Sequence, residues 1–152
     1  MSRTILLVED NPDDAELAIL ALRGSMASEV AVARDGQEAL DYLFGTGDYS
    51  GRDTRVMLAF ILLDLKLPKV DGLEVLQRLR EHEETRLIPV VVLTSSREER
   101  DLVESYSRGA NSYIQKPVDF SKFTEMVNLT SAYWLGLNEV VERNRPAVRG
   151  SR

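Results

Sequence analysis

The sequence predicts an α/β fold built on a doubly wound, five-stranded parallel sheet, and two observations carry that prediction. Short apolar runs alternate five times with segments of helical spacing, an order that right-handed crossovers turn into a parallel sheet covered on both faces. Four of the runs also stop at a different polar residue. Ile5-Leu6-Leu7-Val8 ends at Glu9-Asp10, Phe60-Ile61-Leu62-Leu63 at Asp64, Val90-Val91-Val92-Leu93 at Thr94-Ser95, and Tyr113-Ile114-Gln115 at Lys116-Pro117. In parallel strands all four stops lie along one edge, where open α/β folds place their chemistry.

Taken in order, residues 4–8 are short, β-branched and bounded by polar residues, the pattern of a fully buried strand. Asn11-Pro12-Asp13-Asp14 supplies a capping residue, a proline at the first helical position and acids in the first turn. The helix that follows carries Leu17, Leu20 and Ala21 and ends near Gly24. Glu29 to Ala33 alternates weakly as a second strand, and Asp35-Gly36 opens a helix bearing Ala39, Leu40, Leu43 and Phe44. Residues 45–57 form a polar loop longer than the usual connection. A third strand covers 58–63, and Leu73, Leu76 and Leu79 recur at helical spacing after Asp71-Gly72. A fourth strand is expected over 88–93, entered through Pro89. A helix with Leu102, Val103 and Tyr106 then ends near Gly109, and the fifth strand is 112–115. The last helix starts at Asp119 and places Phe120, Phe123, Val127, Thr130 and Trp134 on one stripe. Residues 1–143 are expected to form a single domain, and 144–152 a flexible tail.

A chain of 152 residues can bury a normal core, and its 43% apolar and 29% charged content is that of a globular protein. No apolar stretch approaches the roughly 20 residues of a membrane span, and with Met1-Ser2-Arg3-Thr4 running straight into a strand no signal peptide is expected. The sequence contains no cysteine, which excludes disulfides and thiolate chemistry. A cytoplasmic location is expected. The net charge of −6 argues against a nucleic-acid surface, and the tail arginines Arg143, Arg145, Arg149 and Arg152 lack aromatic interleaving.

The polar stops assemble three carboxylates, a hydroxyl and an ammonium. Asp64 stands between Leu62-Leu63 and Leu65, and a charge in such a setting is kept when it is paired or bound to metal. Two unit charges about 4 Å apart repel by roughly 4 kcal/mol at an effective dielectric of 20, so three converging acids call for a cation. Mg²⁺ suits them: it takes oxygen ligands and bridges carboxylates to phosphate. A carboxylate is also a competent nucleophile toward phosphorus. Phosphoryl transfer mostly needs positioning and neutralisation of the equatorial oxygens, for which Mg²⁺, Lys116 and the Thr94 hydroxyl are at hand.

With Glu9-Asp10, Asp64 in Leu-Asp-Leu-Lys-Leu-Pro, Pro68, Asp71-Gly72, Thr94-Ser95 and Lys116-Pro117, the chain resembles the receiver domain of two-component response regulators from residue 4 to about 130. The resemblance implies a flavodoxin-like sheet of strand order 2-1-3-4-5 and phosphorylation of Asp64 by a histidine kinase. It implies that Asp10 and Asp64 bind Mg²⁺ directly, Glu9 through water and Lys66 through its backbone carbonyl. Thr94 and Tyr113 match the family's switch pair. Glu9 stands where an aspartate is common, and Lys66 sets an ammonium beside the path of an attacking water, which is expected to change autodephosphorylation. The Glu-Asp-Asn-Pro-Asp-Asp start, the 45–57 loop and Tyr133-Trp134-Leu135 resemble stand-alone receivers paired with phytochrome-type kinases. That likeness implies no output domain, a change of partner affinity as the signal, an unnamed downstream protein, and a homodimer through the last helix and strand. Residues near Leu17, Leu20 and the loop after Lys116 would dock the kinase.

Several features carry no chemistry. Gly45, Gly47 and Gly51 do not join a strand to a helix and make no nucleotide fingerprint. His82, the only histidine, lies among Glu81, Glu83 and Glu84 with no partner for a triad. A flavin carrier would need a Ser/Thr/Gly-rich loop where Glu9-Asp10-Asn11-Pro12 stands, and a phosphohydrolase would need an acid where Lys66 stands. The protein is thus expected to modify itself and turn over no metabolite. The alternative is a receiver-like binding module that works without phosphorylation.

Overall fold

The computed structural model describes residues 4–24 and 29–141. The expected tail, its arginines and Met1-Ser2-Arg3 lie outside the described residues. Five strands and five α-helices alternate: β1 (Thr4–Val8), α1 (Pro12–Arg23), β2 (Glu29–Ala33), α2 (Gly36–Phe44), β3 (Leu58–Leu63), α3 (Gly72–Glu81), β4 (Val90–Thr94), α4 (Glu99–Ser107), β5 (Ser112–Gln115) and α5 (Phe120–Gly136). All pairings are parallel, in the order β2-β1-β3-β4-β5.

β1 and β3 are buried along their whole length, which is why they read as unbroken apolar runs. Alternate residues feed two cores. On one face Leu6, Val8, Ile61 and Leu63 meet Leu40 and Leu43 of α2 and Leu76 and Leu79 of α3. On the other, Ile5, Leu7, Phe60 and Leu62 meet Ala18 and Leu22 of α1 and Phe123 and Val127 of α5.

The expected boundaries hold closely, and the differences lie in the start of one strand, one loop and the buried faces of three helices. β4 spans 90–94 rather than 88–93, because Pro89 has no N–H to give the ladder and contributes only its carbonyl, 2.9 Å from the Ile61 amide. The 45–57 loop contains a 3₁₀ turn, Gly47–Tyr49. In α1 the buried row is Ala15, Ala18 and Leu22, while Leu20 is exposed. In α5 the buried set is Phe123, Val127, Thr130, Ser131 and Leu135, with Phe120 exposed and Trp134 half-buried against Phe60.

The largest departure is α4. Val103 and Tyr106 are exposed, and its buried residues are Asp101 and Ser105. Neither core includes a buried apolar residue of α4.

Candidate phosphoryl-transfer site

Three residues at the carboxyl edge of the sheet are each fixed by one further step of the strand ladder. The Glu9 amide donates to the Ala33 carbonyl (3.0 Å), Asp64 to Val8 (3.0 Å) and Lys116 to Thr94 (2.7 Å). The side chains are therefore placed by backbone already committed to the sheet. Glycine tightens the wall behind Asp64: a Cβ on Gly72 would lie 2.3 Å from the Asp64 carbonyl oxygen. Only glycine lets the start of α3 press so close to the acid's own backbone.

The three expected acids converge. One carboxylate oxygen each from Glu9, Asp10 and Asp64 lies within 4.8 Å of the others, with Glu9 and Asp64 buried and Asp10 exposed. Glu9 Oε2 accepts the Asn11 amide at 3.1 Å, and Asp64 Oδ1 accepts the Lys66 amide at 3.3 Å. Lys66 thus lies beside the acids, with its side chain in solvent.

Lys116 closes the group. Its Nζ lies 2.8 Å from Glu9 Oε1, 3.0 Å from Asp14 Oδ2 and 3.2 Å from Asp64 Oδ2. Burial alone would pull this lysine down, but Glu9, Asp64 and Asp14 outweigh it and hold the ammonium above its usual range. Burial lifts Glu9 from 4.5 to about 7; the Lys116 bond opposes the rise and the Asp64 charge adds to it. Burial displaces this carboxyl even with the Lys116 ammonium 2.8 Å away. The oxygen donors and their convergence fit a hard divalent cation.

Thr94 is fully buried at the end of β4, its Oγ1 accepting the Ser96 amide at 3.2 Å. Tyr113, paired with Val92 in the ladder, has an enclosed hydroxyl without a hydrogen bond. Burial raises its phenol, and the neighbouring Ser96 hydroxyl works against the rise without reaching hydrogen-bond geometry. Beside the acids an open cleft of about 370 Å³ is lined by Asp10, Leu65, Lys66, Leu67, Pro68, Asp71, Leu73 and Asp101.

Two residues escaped the sequence reading. Asp14 looks like a first-turn acid serving the helix dipole, yet it stands on the same i, i+4 row as buried Ala18 and Leu22, and that row was the available signal. Asp101 is buried and accepts the Ser96 hydroxyl, where its acidic neighbours suggest a solvated helix face.

Residues 5–128 match the response regulator receiver domain family. The chain belongs to that family. The receiver domain is 45% identical over 135 residues, 88% of this chain and 84% of its relative, to the probable methanogenesis regulatory protein FilR2 of Methanothrix harundinacea. Among solved structures, the bacteriophytochrome response regulator AtBRR is 53% identical at a TM-score of 0.72, over 93% of this chain and 97% of that one. The Mn²⁺-bound response regulator Rcp1 of Synechocystis is 35% identical at a TM-score of 0.85, over 91% and 99%. Receiver domains are phosphoacceptors rather than classical enzymes, and their strand order is the one observed here. No described helix is long and apolar enough to cross a membrane.

Proposed function

We propose that this receiver domain is a single-domain response regulator that takes a phosphoryl group from a histidine kinase onto Asp64 in a Mg²⁺-dependent reaction. The observation that carries the reading is the buried Asp64 carboxylate held 3.2 Å from the Lys116 ammonium inside a ring of two further acids. Asp10 and Asp64 would hold the metal directly, Glu9 through water and Lys66 through its carbonyl. The metal, when bound, supplies positive charge to the transferring group. An Asp64 oxygen bonds to phosphorus as the bond from phosphorus to the kinase's histidine nitrogen breaks, the imidazole leaving with the electron pair, while Lys116 neutralises a phosphoryl oxygen and the Thr94 hydroxyl is free to donate to another. Donors fixed by the strand ladder need little rearrangement as charge develops.

Phosphorylation would then draw on Thr94 and Tyr113 as the switch pair and change partner affinity at a distance from the site. The likeness to the bacteriophytochrome response regulator AtBRR supports a phytochrome-type kinase as the donor. Leu20 on α1 and Val118, two residues after Lys116, are both exposed and would offer it apolar contact. Leu129, Tyr133 and Leu137 expose apolar surface along and just beyond α5, in keeping with a homodimer through that helix, with a downstream protein responding to the phosphorylated form. It would act in the cytoplasm, with neither nucleic acid nor membrane as a partner. Residues 1–143 would make up this one domain.

Incubation with acetyl phosphate and Mg²⁺ should add one phosphoryl group by intact mass, and Asp64→Asn should abolish it. No label on the unaltered protein would refute the reading. Retention of partner binding by Asp64→Asn would favour the phosphorylation-independent module instead. Light scattering that shows only monomer at high concentration, with and without phosphorylation, would remove the dimer.

A further inference from the structure

Asp14 is the partner of Lys116 for which the proposed reaction has no use. The ammonium has three N–H donors, and all three face carboxylates, those of Glu9, Asp14 and Asp64. The Asp14 side chain is no accident of a flexible turn. Its backbone amide is pinned to Asn11 Oδ1 at 3.0 Å, and the i, i+4 row through Ala18 and Leu22 turns it toward the sheet. It keeps 30% of its side-chain exposure, against 3% for Glu9 and 7% for Asp64.

We infer that Asp14 is a positioning residue that shares the Lys116 ammonium and thereby slows uptake of a doubly negative phosphoryl donor. The inference rests on Asp64 being the acceptor. In the transfer, an Asp64 oxygen forms a bond to phosphorus while the bond from phosphorus to the acetyl oxygen breaks, and acetate leaves with the electron pair. No proton is exchanged. The incoming group keeps its negative charge throughout, so charge on the site's own residues acts directly on its approach. Lys116 offers one positive charge, and Asp14 draws on it without contributing a bond to the reaction. Removing that carboxylate leaves the ammonium to Glu9 and the phosphoryl group.

Such a role has a signature that loss of a helix-end contact lacks. One negative charge fewer should help a doubly charged donor more than a singly charged one, because the interaction scales with the donor's charge. A structural effect on α1 would alter both rates alike. Asp13, exposed on the same turn and capped by the same Asn11, provides the matched control.

The test is phosphorylation of the full chain with Mg²⁺ present, followed by intact mass, using doubly charged acetyl phosphate and singly charged phosphoramidate. Asp14→Asn and Asp14→Ser should be roughly three- to tenfold faster than wild type with acetyl phosphate, with a smaller gain for phosphoramidate, the range expected for one partly solvated charge. Asp14→Glu and Asp13→Asn should stay near the wild-type rate. Equal gains with both donors, no gain in the folded Asp14 variants, or the same gain in Asp13→Asn would overturn the inference. A wild-type chain that takes no label at all would instead remove the acceptor role of Asp64.

Discussion

Lowering the pH from about 8 to about 6 should cost this receiver domain about tenfold in affinity for a divalent ion, or about 1.4 kcal/mol. The perturbation acts on Glu9, which burial lifts to about 7. One pH unit above that value about nine-tenths of the molecules carry the carboxylate, and one unit below it about one-tenth, so binding must displace a proton at the lower pH. The sign also fixes a stability trend. A carboxyl raised in the folded chain binds its proton more tightly there than when unfolded. The stability this gives the metal-free protein is fully present below 4.5 and lost as pH rises through about 7. The loss amounts to about 3 kcal/mol, and the metal restores stability by binding only the folded state. Calorimetric titration with Mg²⁺ at the two pH values, in buffers of different ionisation heat, measures affinity and proton release together. Glu9→Gln should abolish the pH dependence. Equal affinity at both pH values, or a pH dependence that survives in Glu9→Gln, would refute the reasoning.

Other perturbations probe the frame that holds the site. In Gly36→Ala the new Cβ would lie 1.6 Å from the Val70 carbonyl oxygen, so thermal unfolding should show a loss of about 3 kcal/mol or more. Arg80→Met removes the donors now satisfying the carbonyls of Gly109, Arg86 and Ile88 and the Asn111 side chain; urea denaturation should register about 2–3 kcal/mol. Asn11→Ala loses a cap that accepts two amides of α1 and should cost about 1 kcal/mol, measured in the same way.

The strands and the acidic edge were legible in the sequence because a sheet covered on both faces leaves continuous apolar runs, and each candidate site residue of that edge stands where a run stops. Glu9, Asp64 and Lys116 follow from that rule without knowledge of any distance. Helix faces were less legible. Leu20 and Phe120 are apolar yet exposed, so spacing drawn through them strays from the buried row of α1 and adds an exposed residue to that of α5, whose Phe123, Val127 and Thr130 are buried as expected. For α4 the pattern failed outright, because its inward residues are an aspartate and a serine, and hydropathy assigns such residues to water. Asp14 was hidden by a competing explanation: an acid in a first turn already has a reason to be there.

That inward face of α4 has a further consequence. Helices anchored by leucines lose several kilocalories per mole when they shift, whereas α4 rests on the Ser96–Asp101 hydrogen bond and on a Ser105 hydroxyl that is enclosed without a partner. Displacing it strands no buried leucine and gives an orphaned hydroxyl the chance to find a mate. Of the five helices, α4 is therefore the cheapest to dislodge, and its amide hydrogens should exchange with deuterium before those of α1, α2, α3 and α5.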